Sequence, residues 1–259
     1  MSACPPPPTP DTTTATDHTA PAEPGSECFG VGEVFAARDF IPPTSSAEAV
    51  RQVAARMDNA VLSDVEILNL HLAASDCDDA LGNAERLLER FGGLSGVLAA
   101  DVAELLRHVG PQSAVNLKLV REIACRVSAA SLAGRQLLTS SRTVADYFAT
   151  QMRGLPREEF WTLFLDKRNQ LIVVERLGQG TTDHAPVYPR EVIRRALEVG
   201  ASALIVAHNH PSGDPDPSRA DLQMTKALGD AAKALGLALW DHMIVGSDKV
   251  LSLKAEGLM

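Results

Sequence analysis

Aromatic residues are scarce in this chain, at 4% of 259 residues against 45% hydrophobic overall, so any core must be built mainly from aliphatic side chains. Its four cysteines, Cys4, Cys28, Cys77 and Cys125, are scattered with no Cys-x-x-Cys pair. That excludes a disulfide framework and a thiolate zinc knuckle. No stretch reaches the roughly 18 unbroken apolar residues of a membrane span. The N-terminus also lacks a basic region followed by an apolar core. A cytoplasmic protein with no membrane partner is therefore expected. Cationic excess is missing too. The net charge is −9, and Lys/Arg stand against Asp/Glu as one to six through residue 44, nine to twelve over 45–138 and fourteen to fifteen beyond. No segment is suited to neutralising a phosphate backbone, which leaves DNA binding weak at most.

What is present falls into three stretches. Residues 1–44, beginning "MSACPPPPTPDTTTATDHTAPAEPGSE", are rich in Pro, Thr, Ala and acids and read as a disordered tail. Residues 45–138 have helical period: Val50, Val53, Ala54 and Met57 share one stripe of "SSAEAVRQVAARM". In the same stretch Ser63 and Glu66 form a capping-box pattern, and Gly92-Gly93 stop a helix that passes through Phe91. "DVAELLRHVGPQSAVNLKLVREIACRV" reads as two short helices around the turn "HVGPQSA", giving a small domain of four or five helices. Residues 139–259 alternate helices with the strands "EFWTLFLD", "NQLIVVERLG", "SALIVAH", "LALWDHMIVG" and "KVLSLK", which predicts a layered α/β domain.

The chemistry concentrates in "HNHPSGDPDPS". His208 and His210 end a strand and share one of its faces, so both imidazoles can approach a single ion. The loop that follows is too rich in proline and glycine to extend the strand and must turn back. It leads to Ser218, which opens a helix, and to Asp221 one turn in. Two imidazoles and a carboxylate leave the fourth tetrahedral position of Zn²⁺ open, as a catalytic site requires. Two simpler readings compete. Ser218 and Asp221 alone make a helix-capping pattern, and paired histidines can hydrogen-bond to loop carbonyls.

The pattern His-x-His, seven residues, Ser, two residues, Asp resembles the JAMM signature of MPN+ zinc metalloproteases. The wider stretch "VYPREVIRRALEVGASALIVAHNHPSGDPDPSRADLQMTKAL", with "LWDHMIVG" downstream, is similar to the RadC family over about residues 45–259. The resemblance implies a mixed β-sheet flanked by helices, a layered fold of the deaminase-like kind, behind a small helix-hairpin-helix-like domain. It implies one Zn²⁺ held by His208, His210 and Asp221, with Ser218 as the oxyanion partner. The activity implied is hydrolysis of a peptide or isopeptide amide by metal-activated water, on a protein or peptide substrate. The family name carries an alternative, a DNA repair or recombination accessory protein whose metal domain is structural or regulatory.

The resemblance also implies a glutamate as general base. Among Glu158, Glu159, Glu175, Glu191 and Glu198, residue chemistry alone does not choose. The family pattern Glu-x-Phe-x-x-Leu-x-Leu-Asp fits "EEFWTLFLD" with Glu158 in the key place and Glu159 on the opposite side of the strand. Asp241 and His242 also match the family; a histidine in so apolar a run is expected to be a core residue, with contact to the site from behind a ligand as the lesser alternative. His184 reads as a loop residue, and Asp214 and Asp216 as turn formers. In the helical domain Gly110 is kept, but His108 replaces the first glycine of the hairpin turn and Ser113 stands where a basic residue is common. Both changes hinder close approach to a phosphate.

Overall fold

Ser63 starts the first described helix as its sequence predicts. Its backbone N–H donates to Glu66 Oε2 at 2.9 Å, and its hydroxyl accepts from the Glu66 N–H at 3.3 Å. Helix α1 (Asp64–Ala73) follows, then α2 (Ala80–Phe91), which stops where Gly92 (φ 70°) and Gly93 (φ 115°) take left-handed backbone. Helices α3 (Leu94–Ala99), α4 (Val102–Leu105) and α5 (Pro111–Ala130) complete the helical part. The segment after "HVG" is a single helix of 20 residues rather than a short one. Pro111 supplies a pre-set first turn, and no glycine or further proline interrupts it. Leu68, Leu72, Leu87, Val97, Leu105 and Leu117 form the core of this part.

The computed structural model describes residues 62–75, 77–132, 141–180 and 187–259, all within one compact unit, Ala37–Met259. The tail expected over 1–44, the stripe from Val50 to Met57 and His184 lie outside the described residues.

From α6 (Ser141–Met152) the chain enters the sheet through Gly154, whose φ is +75°. A Cβ there would sit 2.6 Å from the Ser95 carbonyl, so only glycine lets this turn pack against α3. Strands β1 (Glu159–Leu165) and β2 (Leu171–Gln179) form a hairpin around "DKRN". Asp166 Oδ1 accepts from the N–H groups of Arg168 and Gln170, and Asn169 takes a positive φ of 60°. Helix α7 (Pro189–Glu198), β3 (Ala203–Asn209), α8 (Arg219–Ala234), β4 (Ala238–Val245) and β5 (Val250–Ser252) follow. The sheet order is β2-β1-β3-β4-β5, with β3 and β4 parallel and the other pairs antiparallel. The architecture is therefore α/β, a five-stranded mixed sheet flanked by helices.

Alternation along the strands sorts the two faces. Leu163, Leu165, Ile205 and Ala207 pack with Phe148 and Met152 of α6. Phe160, Phe164, Leu204 and Val206 pack with α7 and α8 on the other side. Phe148, Phe160 and Phe164 are essentially fully buried, each worth about 1.5–3 kcal/mol of burial. Beyond this second core, on the same face, the carboxyl end of β3 meets the N-terminus of α8.

Candidate metal centre

His208 lies opposite Phe160 on β1 and, like it, faces α7 and α8. His210 extends the strand by one bond, its N–H donating to the Val245 carbonyl at 3.0 Å. The loop then turns back through Gly213, whose φ of +85° excludes other residues without strain. The Gly213 N–H donates to the His210 carbonyl, and the Ser247 N–H donates to the Gly213 carbonyl, both at 2.9 Å. Asp214 acts as a turn former, its Oδ1 accepting from the Asp216 N–H at 3.0 Å. This returns the chain to Ser218, the N-cap of α8.

The capping reading of Ser218 and Asp221 is correct, and it does not compete with a metal. The Ser218 N–H donates to Asp221 Oδ2 at 2.7 Å, and Ser218 Oγ accepts from the Asp221 N–H at 3.2 Å. The capping bonds hold the same carboxylate against both imidazoles. Asp221 Oδ1 is 3.3 Å from His208 Nε2, Oδ2 is 3.5 Å from His210 Nε2, and the two Nε2 atoms are 3.0 Å apart. Donors bonded at about 2.0–2.2 Å to one tetrahedral ion stand about 3.3–3.6 Å from one another. The two carboxylate distances match that spacing and the two nitrogens stand slightly closer, so His208, His210 and Asp221 could hold a single cation, and they are the one such group among the described residues.

The second reading of the histidines, a bond to a loop carbonyl, holds for one nitrogen of one ring. His210 Nδ1 lies 2.6 Å from the Asp214 carbonyl oxygen, which can only accept, so the proton is on Nδ1 and Nε2 is free to ligate. The hydrogen bond with Asp221 raises the His210 pKa against the effect of burial, helped by the Asp214 carbonyl and the Glu158 charge. Burial would raise the Asp221 pKa, but the close imidazoles of His208 and His210, with the bond to Ser218, outweigh it and hold the carboxyl far below its usual range.

Four of the five candidate glutamates are engaged elsewhere. Glu159 is buried, with Oε1 2.8 Å from Arg176 Nη1 and Oε2 accepting from Trp161 Nε1 at 2.9 Å. Glu175 pairs with Arg195 across β2 and α7, Glu191 with Arg194, and Glu198 with Arg194 and Arg195. Glu158 has no arginine partner among the described residues, and its charge reaches His210. It immediately precedes β1, where its carbonyl accepts from the Gly180 N–H at 2.9 Å.

Asn209, between the two histidines, faces the other way and ties down the approach to Glu158. Its Oδ1 accepts from the Glu159 N–H at 2.9 Å, and its Nδ2 donates to the Arg157 carbonyl at 3.1 Å. A cleft of about 710 Å³ opens beside His210, between residues 92–96 of the helical part and residues 210–213 and 245–248 that follow β3 and β4.

Comparison with known proteins settles the lineage. The model of the RadC-like JAB domain matches residues 138–258. A UPF0758 protein from Rhodobacter capsulatus is 47% identical over 201 residues, which are 76% of this chain and 94% of that protein. This chain belongs to the RadC family. The five-stranded sheet and its helices are accordingly the JAB domain of a RadC-family chain, and the His-His-Asp group lies inside it.

Two residues of this RadC-family site were not singled out by sequence reasoning. Asn209 is one. Thr225 is the other, one turn beyond Asp221 on the same face of α8, an i,i+4 spacing that could have marked it. His242 is the core residue its apolar run predicts, fully buried, yet its Nε2 is 2.8 Å from His208 Nδ1. Asp241, by contrast, is structural: Oδ2 accepts from Ser252 Oγ, and Oδ1 from the N–H groups of His242 and Lys254.

Proposed function

We propose that this chain is a zinc-dependent hydrolase of amide bonds, peptide or isopeptide, with residues 139–259 as its catalytic domain. The observation that carries the reading is the convergence of His208 Nε2, His210 Nε2 and the Asp221 carboxylate within 3.0–3.5 Å of one another, beside a glutamate that no arginine among the described residues engages. His208, His210 and Asp221 would hold Zn²⁺. Bound there, the ion supplies a water made nucleophilic near neutral pH and a polarised carbonyl.

The remaining work falls to the protein's own groups. Glu158 takes a proton from the attacking water and passes it to the leaving amine. Ser218 Oγ already accepts from the Asp221 N–H, so its O–H is free to donate to the carbonyl oxygen as negative charge develops. Profiling against a peptide library should reveal cleavage that a chelator abolishes and Zn²⁺ restores. A metal-loaded chain that cleaves no amide in such a library would count against a hydrolase.

The helical part supports a packing role over a DNA-binding one. Ser113 is buried in the first turn of α5, and His108 lies edge-on to Phe91 with its Nε2 3.9 Å from Glu104. An acidic group beside the turn opposes a phosphate. Fluorescence anisotropy with duplex DNA at about 150 mM salt should give no affinity near the specific range of about 10⁻⁸ M. Binding that tight, lost on altering residues 108–113, would reverse this assignment.

A further inference from the structure

We propose that His242 and Thr225 form a buried relay that holds His208 with its proton on Nδ1, and thereby sets how tightly the site takes a divalent cation. The affinity half of this rests on the metal reading above; the tautomer half does not.

The direction of every bond in the relay follows from its far end. Thr225 Oγ1 is 2.6 Å from the carbonyl oxygen of Asp221, one helical turn earlier. A carbonyl has no proton to give, so the hydroxyl donates its only one. His242 Nδ1 lies 2.6 Å from the same Oγ1 and must therefore donate to it. His242 is fully buried, and among the described residues its two nitrogens hydrogen-bond only with Thr225 and His208. A ring so enclosed, with no carboxylate bonded to it, is neutral. Its Nε2 is then a bare acceptor, and the 2.8 Å contact is a bond donated by His208 Nδ1–H. That leaves His208 Nε2 unprotonated, directed at His210 Nε2 and Asp221 Oδ1, 3.0 and 3.3 Å away.

The circuit closes on the site it serves. It begins at one ligand, His208, and ends on the backbone of another, Asp221, whose carboxylate is the third donor. The fold makes this closure possible: β4 pairs in parallel with β3 so that His242 stands beside Val206, on the face that carries His208. Thr225 reaches the same ring from α8. A ligating histidine generally hands its second N–H to an acceptor that orients the ring and raises its basicity. Here that acceptor is a neutral imidazole, itself oriented by a hydroxyl.

The test compares the full-length wild-type chain with Thr225→Val, which keeps shape and removes the hydroxyl, and Thr225→Ser, which restores it. Long-range ¹H–¹⁵N spectra of the metal-free wild type should show His208 and His242 as Nδ1–H tautomers. Competition with a chromogenic chelator should show Thr225→Val binding Zn²⁺ about 10- to 100-fold more weakly, and Thr225→Ser close to wild type. Thermal melting confirms that each variant is folded. A wild-type His208 protonated on Nε2, or a folded Thr225→Val that binds Zn²⁺ as tightly as wild type, would overturn the proposal. Failure of the metal reading looks different: the wild-type chain itself would take up no Zn²⁺, and the affinity half would fall with it.

Discussion

Glu158→Gln is expected to keep metal content near one ion per chain while lowering amide cleavage about 10²–10⁴-fold, the usual worth of a general base. The amide is nearly isosteric with the carboxylate but cannot accept the proton of the attacking water. It should leave the metal in place, because the group that could hold an ion is His208, His210 and Asp221. The informative control is its neighbour. Glu159 is buried against Arg176 and Trp161, on the opposite side of the strand from Glu158. Glu159→Gln should therefore stay active and lose about 1–2 kcal/mol of stability, since a charge-assisted bond is weakened and the half-exposed Arg176 is partly screened by solvent. The comparison separates a chemical role from a structural one in adjacent residues. A dead Glu159→Gln beside an active Glu158→Gln would exchange the two assignments. If both variants stayed active, the base would have to come from elsewhere.

Removing both imidazoles should abolish metal uptake. In untagged protein the wild type is expected to carry about one Zn²⁺ per chain, and His208→Ala/His210→Ala only background. Asp221 alone offers one or two oxygens, too few to compete with water for zinc. The same difference should appear as linkage. Free Zn²⁺ at about 100 times its Kd stabilises a chain that binds it only when folded by about 2.7 kcal/mol, so added metal should raise the wild-type melting temperature and leave the double variant unmoved. The substitution also removes the donor to His242 Nε2, and an unpaired buried acceptor costs about 1–3 kcal/mol. The comparison must therefore be of the response to metal, not of absolute stability. Equal zinc content in the folded double variant would dissolve the assignment.

Much of this protein was legible in local sequence, because the interactions concerned span only a few residues. Ser63 with Glu66 and Ser218 with Asp221 are capping boxes closed within one helical turn. Gly92-Gly93 and Gly200 end helices where only a left-handed residue fits cheaply, and "DKRN" makes a turn from its own Asp166. The spacing of His208, His210, Ser218 and Asp221 likewise combines two local periods, that of a strand and that of a helix, joined by a loop that cannot extend either.

Tertiary structure decided the remainder, through partners far apart in the chain. Nothing near Glu159 says that Arg176 will claim it, or that Asn209, 50 residues away, will anchor the chain at Glu158. His242 looks like any buried residue of an apolar strand until the register of β4 against β3 brings it to His208, 34 residues away in sequence. The choice between capping and metal binding at Asp221 had the same origin. One carboxylate has lone pairs enough for both, and only the folded chain, by bringing two imidazoles within 3.5 Å of it, could show that capping leaves the carboxylate placed to hold an ion.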